Sequence, residues 1–181
     1  MDQKVFDKAC RLWNMEAYTV ERMPEVVSPE AFCAVVEAIA STSRAGGRIL
    51  IMGKGDSAIA ARKMVRNLCL SDIPAIFLDT NEGKHAILGL LRRGDTLILV
   101  SKGGGTEELV DLIEPAREKG TLVIGVTQNP ASMLGMKSDL LLRVMVVRDV
   151  ESKDTLGNAS TIALFVILDG VCEGVRQMLK E

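Results

Sequence analysis

Residues 48–58 read Arg48-Ile49-Leu50-Ile51-Met52-Gly53-Lys54-Gly55-Asp56-Ser57-Ala58. Four consecutive apolar residues without a polar alternate describe a strand covered on both faces, and the glycine-rich turn behind them leads into a stretch with helical spacing. The same unit recurs downstream. Strands are expected at 48–52, 74–78, 96–100, 121–126 and 140–144. Helical stretches at 57–70, 84–92, 106–119 and 131–136 separate them, and a closing helix runs from about Ala159 to Leu179. Doubly apolar strands alternating with helices define an α/β fold, a three-layer sandwich around a five-stranded parallel sheet. We expect the flavodoxin-like strand order 2-1-3-4-5, which puts the winding reversal between the first and third strands.

Upstream of residue 48, apolar residues at Val5, Phe6, Cys10, Leu12, Trp13, Ala17, Val20 and Met23 give one amphipathic helix over 2–26. Ser28-Pro29-Glu30 then carries a hydroxyl cap, a first-turn proline and an early acid, the marks of a helix start. That helix is expected to reach Arg44 and stop at Gly46-Gly47. The division that follows is an N-terminal helix, 1–28, and one domain, 29–181.

Composition narrows the function. The 181 residues are 48% apolar and 25% charged, enough for a buried core in a single domain. Lys and Arg total 22 against 24 Asp and Glu, a net charge of -2, which leaves no basic field for a nucleic acid backbone. No apolar run approaches the ~20 residues that span a bilayer. The acidic, polar start at Met1-Asp2-Gln3-Lys4 lacks a signal core, so the expectation is a cytoplasmic protein without a membrane partner. Cys10, Cys33, Cys69 and Cys172 lack CxxC spacing and read as small buried hydrophobes. With His85 as the one histidine, no metal centre is expected.

The two loops at the expected winding reversal are Gly53-Lys54-Gly55-Asp56-Ser57-Ala58 and Ser101-Lys102-Gly103-Gly104-Gly105-Thr106. Glycine lets main-chain N–H groups turn toward an anion unobstructed, and a following helix start adds more of them. Hydroxyls of Ser57, Ser101 and Thr106 would complete a phosphate cradle, with Gly55, Lys102, Gly103 and Gly104 in its frame and Lys54 within reach. The first loop lacks Walker A spacing, and Gly53 and Gly55 make only part of a dinucleotide fingerprint, so a nucleotide is the weaker ligand class. His85 opens a helix after the second strand, and a polar stretch, 148–161, ends at the same sheet edge as the cradle.

These pieces resemble the SIS (sugar isomerase) domain family, most closely its arabinose-5-phosphate isomerase branch, from about residue 29 to 175. GKGDS is similar to the family's GxGxS, EGKHAILG to its EALHGDLG, and SKGGGT to its SxSGxT. VTQNPASMLGMKSDLLLRV and LGNASTIALFVILDGV resemble two further segments in the family's order. The resemblance implies a small phosphorylated sugar held by Ser57, Ser101 and Thr106, with Ser160 or Thr161 nearby. It implies an aldose-ketose isomerisation through a cis-enediol, without a cofactor, in a homo-oligomer that is a dimer or tetramer. Glu151 matches the family's acid before the last helix and is the candidate base; a desolvated carboxylate suits that task. His85 matches the family histidine, which can enter a neighbouring subunit's site.

There are departures from the pattern. Gly103 stands where the family has a serine, Gly105 where an acid often sits, and Asp56 where it has a lysine. The chain ends at Glu181, ahead of the HPGG-type segment of the longer isomerases, and without their paired CBS domains. A sugar-phosphate-binding regulatory module without turnover, and a 6-phospho-3-hexuloisomerase-like enzyme, therefore stand as alternatives.

Overall fold

In the computed structural model, which describes residues 3–145 and 159–180, the apolar runs become five parallel strands. These are β1 (Ile49–Gly53), β2 (Ala75–Phe77), β3 (Thr96–Val100), β4 (Leu122–Thr127) and β5 (Leu140–Arg143). Their order is β2-β1-β3-β4-β5, as expected from the alternation. The helices are α1 (Gln3–Glu21), α2 (Met23–Val26), α3 (Pro29–Arg44), α4 (Asp56–Cys69), α5 (Lys84–Leu90), α6 (Glu107–Val110), α7 (Ile113–Glu118), α8 (Met133–Lys137) and α9 (Ala159–Met178).

Side chains alternate across each strand, so one run feeds two cores. Ile49, Ile51, Ile98, Val100, Ile124 and Val126 face α3, α4 and α9. Leu50, Met52, Leu97, Leu99 and Val123 face α5 to α8. Each such side chain contributes about 1.5–3 kcal/mol by leaving water, and the buried polar residues of the strands, Thr96 and Thr127, stand at their ends. α1 lies outside this sandwich, packed on α9. No helix among the described residues is long and apolar enough to cross a membrane.

Two expected helices are broken, each at a proline. The N-terminal helix stops at Glu21 and restarts at Met23, with Pro24 in the new first turn. The helix expected over 106–119 divides into α6 and α7, because Pro115 has no N–H to give Asp111 and its ring crowds that carbonyl. Pro115 is accommodated in the first turn of α7, where no donor is required. The cysteine expectation needs correcting too. Only Cys172 is buried; Cys33 and Cys69 are exposed and Cys10 is half-buried. Burial pushes the Cys172 thiol up to about 12, which leaves it unreactive.

The cap at Ser28 forms as expected, its hydroxyl accepting from Ala31 N–H at 3.2 Å. At the amino edge of the sheet, Asp95 is 4% exposed and gathers four donors. Arg48 N–H reaches Oδ1 at 3.0 Å, its guanidinium reaches Oδ2 at 2.5 Å, and Arg92 N–H reaches Oδ2 at 2.9 Å. This carboxylate fastens the starts of β1 and β3 in register.

Candidate functional site

At the carboxyl edge, Gly53 of β1 is in register with Val100 of β3. Both loops therefore leave the sheet side by side, one strand spacing of about 4.8 Å apart. Sequence dictates why each turns as it does. Gly55 has φ 59, a left-handed backbone that glycine adopts without strain, and from it the chain enters α4. Gly53 runs so close to the first turn of α4 that a Cβ there would lie 2.8 Å from Ser57 C=O.

The second loop is folded on itself. Ser101 Oγ accepts from Gly104 N–H at 3.1 Å and lies 2.9 Å from Thr106 Oγ1. Either hydroxyl can donate within this pair, and whichever accepts keeps its own proton for an acceptor outside the loop. Gly104, at φ 69, presses against the β4–α8 connection, where a Cβ would meet Ser132 Oγ at 2.0 Å. Below it, Thr127 Oγ1 donates to Lys102 C=O at 2.9 Å, and Gln128 N–H donates to the same carbonyl at 3.0 Å.

Several donors on this edge are left over. Among the described residues, the N–H groups of Gly103, Gly105 and Thr106 take no internal acceptor, nor does the hydroxyl of Ser57, a residue only 7% exposed. The first N–H groups of α4, a helix of 14 residues, add a favourable dipole for an anion. A Cβ at Gly55, Gly103 or Gly105 would touch nothing within 4 Å, so open space lies beside all three. α6 has only four residues, so its dipole adds little, and the second loop acts through its individual donors.

Of the residues expected from sequence, Gly55, Ser57, Ser101, Lys102, Gly103, Gly104 and Thr106 are brought together on these adjacent loops. α9 begins beside the first loop: Thr161 Oγ1 donates to Asp56 Oδ2 at 3.3 Å, and Ser160 is buried next to it. His85 is exposed in the first turn of α5, and among the described residues no hydrogen bond or ion pair joins it to either loop. Glu151 lies outside the described residues.

Sequence reading missed four participants. Thr127, Gln128 and Ser132 form the floor under the second loop, and Gln128 Nε2 is buried without a partner among the described residues. Glu108, in the first turn of α6, pairs with Lys54 of the first loop. The signal for the floor was present, since the Thr127-Gln128-Asn129-Pro130 turn follows β4 at the same sheet edge. Elsewhere, a shallow hollow of about 360 Å³ lies between Leu70, Ser71, Asp72, Arg176, Leu179 and Lys180. It sits past the far end of α4 and gathers no free loop donors.

The SIS domain profile matches residues 43–168. Arabinose 5-phosphate isomerase KdsD of Francisella tularensis (strain SCHU S4) is 26% identical over 165 residues, which is 91% of this chain and 50% of that protein. The chain thus spans about half the length of the curated relatives it matches. A solved structure from Listeria monocytogenes strain 4b F2365, provisionally described as a sugar-phosphate isomerase, superposes with a TM-score of 0.91 at 36% identity, covering 99% of this chain and 93% of its own. The Escherichia coli CFT073 protein c3406, solved in complex with a sugar phosphate, has a TM-score of 0.86 at 24% identity over 99% of this chain and 94% of its own, a likeness of fold.

Proposed function

The chain belongs to the SIS domain family, and from that premise we propose that it is a phosphosugar aldose-ketose isomerase that interconverts arabinose 5-phosphate and ribulose 5-phosphate. The observation that carries this reading is the set of free donors on the two adjacent loops, Ser57 on one and Gly103, Gly105 and Thr106 on the other. A phosphate dianion accepts several such bonds at once, each worth about 1.5–3 kcal/mol when charge-assisted. The similarity to a protein named arabinose 5-phosphate isomerase over 91% of the chain directs the choice of sugar.

In this reading the loops anchor the phosphate, and binding there places the far end of the sugar for reaction. A carboxylate, assigned to Glu151, removes the proton from C2 of the open-chain aldose; the electron pair forms the C1–C2 double bond while the C1 carbonyl oxygen takes up a proton, which gives the cis-enediol. The same proton returns at C1 while the O2 proton is lost, which yields the ketose carbonyl at C2 with no net change in atoms or electrons. Ser160 and Thr161, at the start of α9, flank the sugar. His85 serves as acid or hydroxyl ligand in a neighbouring copy's site, within a dimer or tetramer. Its exposure in the first turn of α5 supports that placement, as do the exposed Val5, Phe6 and Trp13 of α1.

The test is turnover. Ribulose 5-phosphate should form from arabinose 5-phosphate, and Glu151→Gln should abolish its formation while binding persists. A second reading, a regulatory module that binds the sugar without converting it, draws support from Gly103 and Gly105, which leave the second loop short of a hydroxyl and a carboxylate. Saturable binding with no turnover across pentose and hexose phosphates would favour it. A single protomer by light scattering would remove the shared His85.

A further inference from the structure

The first loop begins with Lys54, immediately after the Gly53 that stands in register with Val100, and the second loop runs into α6, where Glu108 lies. The ammonium of Lys54 and the carboxylate of Glu108 meet, so an ion pair joins the two loops at the place where the free donors gather. Both side chains remain largely in water, 58% and 46% exposed. An exposed pair of this kind is held weakly, because water screens each partner and two long side chains must stay ordered. The pair packs no core, and so fold stability gives little account of why a cation and an anion stand beside an anion cradle.

We propose that Lys54 exchanges partners when a phosphosugar binds, leaving Glu108 for the phosphate, and that Glu108 thereby sets the charge a ligand must carry to be admitted. The proposal rests on the phosphosugar reading above. A neutral sugar offers Lys54 nothing better than Glu108. A phosphate dianion, already held by loop N–H groups and hydroxyls, presents more charge and more acceptor oxygens than one carboxylate, and it wins the ammonium. The hydrogen bond from Lys54, with a smaller one from its own main chain, holds the Glu108 carboxyl below its ordinary range, so the carboxylate competes with an incoming anion for the ammonium, and a ligand gains Lys54 only by offering more charge than Glu108 does.

A double-mutant cycle read by calorimetric titration with arabinose 5-phosphate tests this. Lys54→Met should weaken binding about tenfold through loss of a charge-assisted bond. Glu108→Gln should tighten it about fivefold, since Lys54 is then free from the start. In the Lys54→Met background the gain from Glu108→Gln should fall below about twofold, because only like-charge relief remains. Exposed side chains at both positions make misfolding a minor concern, and matching circular dichroism spectra check it. Equal affinity in wild type and Glu108→Gln, weaker binding in Glu108→Gln, or the same gain in both backgrounds would each overturn the exchange. If wild type isomerises the sugar while all four proteins bind alike, the exchange alone falls; if wild type binds no phosphosugar, the proposed function falls and the exchange with it.

Discussion

The two edges of the sheet treat their polar groups in opposite ways. At the amino edge the polar groups find partners within the chain: Arg48 and Arg92 on Asp95, Thr42 on Thr96 at 2.7 Å, Thr121 on Arg92 C=O at 3.2 Å. There Gly47 lies so close that a Cβ would meet Gly94 C=O at 2.2 Å. At the other end of the same strands, the N–H groups of Gly103, Gly105 and Thr106 take no internal acceptor among the described residues, and open space lies beside Gly55, Gly103 and Gly105. Unpaired polar groups cost stability wherever they are shielded from water. The contrast teaches that this fold concentrates its fastening at one end of the strands and leaves binding capacity at the other.

Breaking the amino edge should give the largest effect. Asp95→Ala leaves the Arg48 guanidinium with Leu90 C=O and strands two main-chain N–H groups, and we expect a loss of about 3 kcal/mol in chemical denaturation; phosphosugar affinity of the folded fraction should stay unchanged. The same carboxylate sets a pH dependence. Burial alone would raise the Asp95 carboxyl, but the hydrogen bonds from Arg48 and Arg92 and the Arg48 charge outweigh it and hold it below its ordinary value. A group depressed on folding contributes stability above its unfolded pKa and loses it as pH falls through the folded one. Wild-type Tm should therefore decline below about pH 4, and Asp95→Asn should lower Tm at neutral pH while flattening that decline. An equally steep decline in the variant would assign it to other carboxylates.

At the carboxyl edge, Gly104→Ala combines a positive φ with a collision against Ser132, and should cost about 1–3 kcal/mol together with most phosphosugar binding. Ser57→Ala sharpens the comparison, since its hydroxyl has no internal partner among the described residues. Titration should show about tenfold weaker phosphosugar binding, with Tm almost unmoved. A large fall in Tm would mean the hydroxyl serves the fold. Gly103→Ser should have the smallest effect: a Cβ there meets nothing within 4 Å, so stability should hold while the added hydroxyl tightens binding about twofold.

The sheet was legible in sequence because buried parallel strands must be apolar on both faces, and the runs at 49–52 and 96–100 leave no other choice. The loops were legible because their glycines and hydroxyls sit where strand order reverses. Glu108, Gln128 and Thr127 were not. Their roles come from register between distant segments, and nothing local in Glu107-Glu108 or Thr127-Gln128 separates them from ordinary surface residues. The break before Pro115 was written in the chain but overridden by a helical apolar spacing that continues through it. The exposure of Cys33 and Cys69 follows from which helix face meets the core, a matter of docking that composition does not contain.

The most direct measurement is an amide NMR titration of ¹⁵N-labelled protein with arabinose 5-phosphate. The account predicts that the largest shifts fall on Gly55, Asp56, Ser57, Gly103, Gly105 and Thr106, with Arg48, Gly94 and Asp95 unchanged. Shifts centred on the amino edge or on the hollow between Leu70 and Arg176, with the two loops silent, would contradict it.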